Sequence, residues 1–248
     1  MKGLILAAGM GTRLHPLTRT QAKCLVNVAG KPMMEYQLDS LRRAGIGECA
    51  IIVGYMAESV RSYFGSYYRG IRLSYVENAD FNKTNNLYSL WLAREEFDDD
   101  ILLLESDLVF DDMLVSEIAA MKGQNVAMVD RFQPPMDGTV IFANGSDARS
   151  MVLKSGQGPG FDYSHALKTV NIYRLTKESL QDAIVPEMEE FLEEGQTGQY
   201  YEAVFASLMD SGRMSMSVMN TGNRRWAEID TLGDLEDAEK MFATAVVI

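Results

Sequence analysis

The sequence of 248 residues has few cysteines, histidines and prolines: two, two and six, respectively. Cys24 and Cys49 cannot form a disulfide framework and lack the spacing of a metal site, so we expect two buried thiols. No run of eighteen apolar residues occurs, so the sequence indicates no membrane span. The apolar start, residues 3–8, is interrupted by glycines instead of continuing as a secretory signal, and we therefore expect a cytoplasmic protein.

Basic residues are also scarce, because 23 Lys and Arg stand against 35 Asp and Glu, for a net charge of −12. This balance excludes a general nucleic-acid binder, which would present a basic face. Residues 1–50 are the exception, with seven basic and three acidic residues. A local basic segment in an acidic protein is typical of a site for a small polyanion.

Apolar runs and helical spacings alternate along the first half of the chain. Four segments have the length and composition of buried strands: 2–8, 49–54, 71–76 and 101–106. With helices predicted between them, this pattern indicates an α/β fold with a mostly parallel sheet covered on both faces. Beyond about residue 130, short β-like segments predict a small antiparallel insertion, and helices follow near 177–195, 199–209 and 232–243. We expect Pro186 to break the first of these helices.

A glycine turn follows the first predicted strand. Gly9 and Gly11 let backbone N–H groups approach phosphate oxygens, and Thr12 adds a hydroxyl donor. Arg13 and Lys23 supply the positive charge that a triphosphate requires. The segment lacks the Gly-Lys-Ser/Thr ending of a Walker A loop and the third glycine of a dinucleotide fingerprint. An ordinary strand–helix turn remains the alternative at this point.

The glycine turn carries a resemblance to a known family. Residues 6–14 (LAAGMGTRL), Lys23 and residues 30–35 (GKPMME) resemble the N-terminal signature of the sugar-phosphate nucleotidyltransferase superfamily. Its members transfer a nucleoside monophosphate from an NTP to a phosphorylated small molecule and release pyrophosphate. Where that signature usually reads Pro-Lys, this sequence has Ala22-Lys23, which leaves the lysine in place.

Further segments narrow the resemblance. Residues 82–90 (NKTNNLYSL), 168–173 (KTVNIY) and 226–230 (WAEID) are similar to the cytidylyltransferases of phosphocholine and of phosphonates. Residues 136–140 (MDGTV) are closer to the phosphonate branch, such as the 2-aminoethylphosphonate enzymes. The resemblance implies a Rossmann-like, GT-A-like fold. We expect one nucleotidyltransferase domain over 1–248, with a nucleotide-binding core at 1–130 and an acceptor-binding, metal-completing part at 131–248.

The resemblance also implies substrates and site residues. The substrates are CTP and a small phosphonate or phosphomonoester: 2-aminoethylphosphonate, a hydroxyalkylphosphonate, phosphonoformate or phosphocholine. Neither a nucleic acid nor a membrane is expected as a partner, and the oligomeric state stays open. Arg13 and Lys23 are the expected catalytic residues. The expected substrate contacts are Leu6, Ala7, Ala8, Gly9, Gly11, Thr12, Glu77, Asn78, Thr84, Asn85, Ser106, Lys168 and Tyr173.

Three carboxylates are candidate ligands of Mg²⁺. Asp107 follows the predicted strand 101–106, at the sheet edge where α/β proteins bind ligands. Glu228 and Asp230 would face the same side of a strand, since they flank Ile229. Mg²⁺ takes such oxygen ligands together with phosphate oxygens and water. Two carboxylates held close would repel each other without metal, so removing one should preserve or raise the melting temperature.

Several alternatives stay open from the sequence alone. Thr84 or Asn85 would cap a helix in the simpler interpretation, and Lys168 would be an outward, solvated lysine. Tyrosines could cage an ammonium group of the acceptor, although most aromatic residues of such a domain lie in its core. At the level of function, a sugar-1-phosphate nucleotidyltransferase and a non-catalytic nucleotide-binding regulator are the competing hypotheses.

Overall fold

The computed structural model describes residues 1–243. Its strands are β1 (Lys2–Ala7), β2 (Asn27–Val28), β3 (Lys31–Pro32), β4 (Glu48–Val53), β5 (Tyr67–Tyr68), β6 (Ile71–Glu77), β7 (Ile101–Glu105), β8 (Leu108–Phe110), β9 (Val126–Arg131), β10 (Val140–Asn144), β11 (Asp147–Val152), β12 (Leu167–Leu175), β13 (Ser217–Asn220) and β14 (Trp226–Glu228). Its α-helices are α1 (Met33–Arg43), α2 (Ala57–Phe64), α3 (Asn86–Leu92), α4 (Met113–Ala120), α5 (Lys177–Ser179), α6 (Val185–Glu193), α7 (Tyr201–Asp210) and α8 (Leu232–Phe242). Within residues 1–243, no helix combines the length and the apolar character that a membrane crossing requires.

The described residues divide into two compact units. The first, called here the N-terminal unit, comprises residues 2–82, 104–117 and 223 onward. The second, called the central unit, comprises Met1, 83–103 and 118–222. The chain therefore passes between the two units several times, and two of these passages fall inside an element, one within β7 and one within α4.

Parallel strands form the framework of the N-terminal unit. β1 pairs with β4, and β4 pairs with β6, all in parallel, while β5 adds antiparallel to β6. The register places Ala7 opposite Val53 and Val53 opposite Glu77, so the carboxyl ends of the three strands are level. The apolar runs of β1 and β4 form strands because parallel strands buried on both faces need continuous hydrophobic sequence, whereas β6 alternates buried Ile71 and Leu73 with exposed Arg72. The loops that follow these strands therefore begin at the same edge of the sheet.

Helix α1 packs its apolar side against the unit's core. Pro32 precedes the first turn, where its missing N–H costs nothing, and Gly45 follows the last turn with φ +77°. The helix predicted between the first two strand segments, 2–8 and 49–54, is confirmed. Gln37 is the unexpected member of the buried face, because it is a polar residue with no exposed surface.

The central unit is built on mixed strand pairing. β12 pairs antiparallel with β9 and β10, β10 with β11, and β13 runs parallel to β9. The predicted antiparallel insertion is confirmed. The predicted break at Pro186 is wrong: α5 continues through a π-helical segment, Leu180–Ile184, into α6, whose first turn contains the proline. The proline thus lies inside a continuous helical stretch, and the π-helical segment directly before it marks a local departure from regular α-helical hydrogen bonding.

Two short ladders of the N-terminal unit were not anticipated. β2 pairs with β3, and β8 pairs antiparallel with β14, placing Leu108 opposite Glu228. Strands of two or three residues carry no measurable alternation in a sequence. The β8–β14 ladder nevertheless joins two segments that are far apart along the chain, and it determines the geometry of the site.

Candidate active site

A cluster of four charged side chains lies in the N-terminal unit. The Lys23 ammonium group donates to Asp107 Oδ2 at 2.8 Å and to Asp230 Oδ1 at 2.8 Å. Arg13 Nη2 lies 2.8 Å from the same Asp230 oxygen. The side chains of Lys23 and Asp107 are 12% and 16% exposed, whereas Arg13 is 67% exposed. The cluster thus contains two positive and two negative charges. Lys23 and Asp107 are largely buried, whereas Arg13 reaches solvent.

Lys23 is held in its charged form by its neighbours. Burial alone lowers the pKa of an ammonium group, because desolvation penalises the charge. Here the charges and hydrogen bonds of Asp107 and Asp230 outweigh that effect, and the pKa of Lys23 is raised above its ordinary value. The lysine is therefore a permanent cation at physiological pH.

Backbone contacts bring Asp107 and Asp230 together. The N–H of Ile229, next to Asp230, donates to the backbone carbonyl of Asp107 at 2.9 Å and continues the β8–β14 ladder. On the other side, the N–H groups of Asp230 and Thr231 donate to Asp234 Oδ2 at 3.0 and 2.7 Å. Thr231 accepts in turn from the Asp234 N–H, which completes a capping box at the start of α8. Asp230 is thus fixed between a strand ladder and a helix cap.

The side chain of Gln37 holds the short loop between β7 and β8 that carries Asp107. Its amide Nε2 donates to the backbone carbonyls of Glu105 at 2.9 Å and of Leu108 at 3.0 Å. These residues end β7 and begin β8, on either side of Ser106 and Asp107. The sequence analysis did not single out Gln37, although a glutamine within the apolar face of an amphipathic helix is a signal that could have identified it.

The glycine turn lies beside Lys23. Gly11 has φ +58°, a region that favours glycine. A Cβ at this position would lie 3.0 Å from Lys23 Cβ and 3.1 Å from its Cγ and Cδ. Gly11 is therefore favoured twice, once by its backbone conformation and once because a Cβ would crowd the lysine side chain. Gly9, Met10 and Thr12 are exposed, so the turn faces solvent.

The other predicted contacts in this unit flank the level strand edge. Leu6, Ala7 and Ala8 are buried, and the Leu6 carbonyl accepts from the Ser106 N–H at 3.1 Å. Glu77 Oε2 accepts from Arg61 Nη2 at 2.7 Å. Asn78 is buried, and its side-chain oxygen accepts from the Asp80 N–H at 3.0 Å. The roles of these residues in substrate binding stay predictions.

The remaining predicted substrate contacts belong to the central unit. Asn85 caps α3, since its side-chain oxygen accepts from the Asn86 N–H at 2.8 Å, and Thr84 precedes it. Lys168 is not an outward lysine: it is buried, and its ammonium group donates to the Thr169 carbonyl at 2.8 Å. Tyr173 is buried with its ring edge-on to those of Tyr201 and Phe205, which places it in an aromatic core.

The carboxylates differ from the predicted three-ligand set. β14 ends at Glu228, so no strand carries the expected alternation through to Asp230. Among residues 1–243, no group of three or more His, Cys, Asp and Glu side chains could hold a metal ion. The structure does bring two carboxylates together, those of Asp107 and Asp230. One of their oxygens, Asp107 Oδ1, is buried and has no hydrogen-bond partner among residues 1–243. An unpaired carboxylate oxygen fits an oxygen-seeking cation such as Mg²⁺ that also binds phosphate oxygens.

The chain is similar to several known proteins. The family model "Nucleotidyl transferase" matches residues 2–244. The CMP-5'-(3-aminopropyl)phosphonate synthase of Streptomyces rubellomurinus is 34% identical over 245 residues, 98% of this chain and 39% of that protein. The choline-phosphate cytidylyltransferase of Streptococcus pneumoniae is 41% identical over 118 residues, 48% of this chain and 50% of that protein. The 2-aminoethylphosphonate cytidylyltransferase of Lancefieldella rimae is 36% identical over 110 residues, 44% of each chain.

These relatives confirm the resemblance to phosphonate and phosphocholine cytidylyltransferases. The matched segments cover only two fifths to one half of the relatives' own lengths. The solved structure of the CTP:phosphocholine cytidylyltransferase from Streptococcus pneumoniae superposes with a TM-score of 0.80 at 24% identity, covering 97% of this chain and 98% of that chain. At this identity the likeness shows the fold, and the predicted α/β nucleotidyltransferase fold is confirmed.

Proposed function

The chain belongs to the nucleotidyl transferase family, and from that premise we propose that it is a Mg²⁺-dependent cytidylyltransferase. It would transfer CMP from CTP to a small phosphonate, 2-aminoethylphosphonate or a related compound, and release pyrophosphate. The observation that carries this proposal is the cluster in which Lys23 joins Asp107 and Asp230 beside the glycine turn. The phosphonate-directed relatives support the choice of acceptor.

The reaction joins two anions. A phosphonate oxygen attacks the α-phosphorus of CTP and forms a new P–O bond, while the bond from that phosphorus to the bridging oxygen breaks and pyrophosphate leaves with the electron pair. No general base is needed, because the attacking oxygen is already ionised. What the protein must supply is positive charge that cancels the repulsion and stabilises the leaving group.

Residues of the cluster divide this work. Lys23 supplies a permanent charge at a fixed position, since two carboxylates hold it and its pKa is raised. Arg13 is largely exposed and can move onto the phosphates while Asp230 remains paired with Lys23. Asp107 and Asp230 would hold Mg²⁺, which supplies further charge neutralisation on the phosphate oxygens. Gly9, Gly11 and Thr12 would direct backbone and hydroxyl donors to the same phosphates.

The residues that would contact the acceptor and the cytosine base of CTP are assigned from the resemblance. Lys168 would bind the phosphonate, and Leu6, Ala7, Ala8, Glu77, Asn78, Thr84, Asn85 and Ser106 would contribute to substrate binding. Tyr173 has no exposed surface, so it would support the site only through the aromatic core. Glu228 is kept as a proposed metal-site residue only in an accessory role, because the described residues contain no three-carboxylate group. One nucleotidyltransferase domain, with the nucleotide side in 1–130 and the acceptor side in 131–248, remains our proposal for the organisation of the chain.

A pyrophosphate-release screen tests the proposal. Four NTPs are crossed with 2-aminoethylphosphonate, hydroxyalkylphosphonates, phosphonoformate, phosphocholine and sugar 1-phosphates, each with Mg²⁺ and with EDTA. We expect turnover with CTP and a phosphonate, lost in EDTA. A purine is larger than cytosine, so ATP and GTP should be poor substrates. Efficient turnover with GTP or ATP but not CTP would overturn the assignment. A sugar 1-phosphate as the best acceptor would indicate a sugar-1-phosphate nucleotidyltransferase instead.

Phosphocholine is the second candidate acceptor, favoured by the identity to the choline-phosphate enzyme over about half of this chain. A kcat/KM for phosphocholine above those of all phosphonates would select it. A regulator without activity is a further possibility, and CTP binding without turnover over any acceptor would indicate it.

A further inference from the structure

A buried hydroxyl fixes one carbonyl of the glycine turn. Thr18 has no exposed surface, and its Oγ1 donates to the backbone carbonyl of Gly11 at 2.7 Å. The same carbonyl accepts from the Leu14 N–H at 3.0 Å. The Gly11 carbonyl oxygen thus accepts two hydrogen bonds, one from Leu14 and one from Thr18. Because both donors belong to buried residues, the two bonds fix the orientation of this carbonyl toward the interior of the unit.

Tyr55 connects the start of this turn to Thr18. It follows β4, and its N–H donates to the Ala8 carbonyl at 3.0 Å, while its hydroxyl donates to the Thr18 carbonyl at 3.1 Å. The preceding Gly54 permits this close approach, because a Cβ there would lie 2.9 Å from the Ala8 oxygen. One residue thus holds the chain just before the glycine turn and again at the threonine that holds Gly11.

The orientation of one peptide group follows from these contacts. In a trans peptide the C=O and the next N–H point in opposite directions. With the Gly11 carbonyl held inward by Thr18, the Thr12 N–H is turned outward, on the exposed side of the loop. We propose that Thr18 and Tyr55 are positioning residues that preset the glycine turn for polyphosphate. This inference rests on the proposed function, and its benefit is a donor that needs no reorganisation when the nucleotide binds.

Matched variants separate positioning from ordinary stability. Thr18→Val removes the hydroxyl at nearly constant volume, Thr18→Ser keeps it, and Tyr55→Phe removes only the phenol oxygen. Ser40→Ala and Tyr36→Phe are the controls, because each removes a comparable hydroxyl bond to a carbonyl, at 2.7 and 2.9 Å, within the same unit, and neither carbonyl belongs to the turn.

Two readouts are measured on the full chain with Mg²⁺. The first is equilibrium binding of inorganic tripolyphosphate by calorimetry, which needs no acceptor. The second is the KM of each substrate in pyrophosphate release. Thr18→Val should weaken tripolyphosphate binding roughly 10- to 100-fold and raise the KM for CTP but not for the acceptor. Tyr55→Phe should act in the same direction more weakly, whereas Thr18→Ser and both controls should match the wild type.

The outcomes are distinguishable. If the wild type binds tripolyphosphate but turns over no NTP, the cytidylyltransferase assignment fails while the positioning role is still decided by the binding data. If Thr18→Val and Tyr55→Phe bind tripolyphosphate as the wild type does, the positioning role is overturned although the enzyme assignment stands. Losses shared equally by the Ser40→Ala and Tyr36→Phe controls, or equal rises in KM for both substrates, overturn it as well. A wild type that does not bind tripolyphosphate overturns it outright.

Discussion

Ile229 donates its backbone N–H to the backbone carbonyl of Asp107 at 2.9 Å. Because this bond extends the β8–β14 ladder, the main chain sets the distance between the Asp107 and Asp230 segments. The two carboxylates therefore remain neighbours even when their side chains change partners. Lys23 then occupies the space between them, an arrangement that leads to the first two predictions.

Replacing either carboxylate should abolish activity and lower stability. Asp107→Asn and Asp230→Asn each deprive Lys23 of one partner in a largely buried position. We expect a cost of about 1–3 kcal/mol in the free energy of unfolding, from a buried cation that is less well paired. The sequence argument, which considered only repulsion between the carboxylates, predicted an unchanged or higher melting temperature. The structure reverses that expectation because it places a cation between them.

Melting temperature and kcat/KM test this prediction. Asp237→Asn is the control, since Asp237 is exposed on the surface of α8 and pairs there with Lys240. A control with unchanged melting temperature beside two destabilised, inactive variants would agree with the prediction. An Asp107→Asn protein that melts above the wild type, or one that retains substantial activity, would contradict it.

Removing the cation should affect stability more than removing one anion. Lys23→Met leaves Asp107 and Asp230 close together with only the largely exposed Arg13 as a counter-charge, which should cost roughly 3–5 kcal/mol of stability. Activity should fall by the equivalent of about 2–4 kcal/mol in transition-state stabilisation. Added Mg²⁺ should recover part of the stability, because it binds the native state and not the unfolded chain.

Thermal melts with and without Mg²⁺, together with kcat/KM, measure both effects. Lys31→Met serves as the control, because Lys31 also pairs with an aspartate, Asp39 at 2.6 Å, in the same unit. Near wild-type kcat/KM for Lys23→Met would remove this lysine from the mechanism. A Mg²⁺-induced stabilisation no larger than that of Lys31→Met would show that the two carboxylates do not bind the metal.

Gln37→Leu should lower stability and activity together. The leucine fills the space but leaves the Glu105 and Leu108 carbonyls without their side-chain donor, at about 1–3 kcal/mol for each carbonyl that stays unsatisfied. The loop that carries Asp107 would then relax, so kcat should fall beyond what the loss of stability explains. Gln181→Leu is the matched control, since Gln181 Nε2 also donates to a carbonyl, that of Phe97 at 2.8 Å. Equal kinetics in the two variants would deny Gln37 any effect on the site.

The thiol of Cys24 should be unreactive in the native protein. Burial raises the pKa of Cys24 to about 12, so almost no thiolate exists at pH 8. Cys49 is buried too. Titration with a disulfide reagent at pH 8 should label neither cysteine in the folded protein and both in guanidinium chloride. Rapid labelling of one thiol without denaturant would contradict the burial of that residue.

Local sequence was sufficient for most of the framework. The apolar runs of β1 and β4 specify buried parallel strands directly, and Pro32 and Gly45 delimit α1. The family signature likewise indicated Arg13 and Lys23, while the end of strand 101–106 indicated Asp107 and the segment 226–230 indicated Asp230; the structure brings these four residues together. These features depend on residues close in sequence or on a recognisable motif.

Long-range contacts escaped the sequence analysis. The role of Gln37 depends on the carbonyls of β7 and β8, which lie about 70 residues further along the chain. The burial of Lys168 contradicts the usual preference of lysine for solvent, and it follows from the position of this residue on β12 between β9 and β10. No local pattern reports which distant segments will pair.

Lys23 meets its two acidic partners 84 and 207 residues further along the chain. During synthesis the lysine therefore leaves the ribosome long before Asp230, and β8 emerges well before its partner strand β14. The charged cluster is complete only when the last segment of the N-terminal unit has been translated and has paired. An aborted chain that stops before residue 223 would carry Lys23 and Asp107 but neither β14 nor Asp230, so incomplete products contain no finished site.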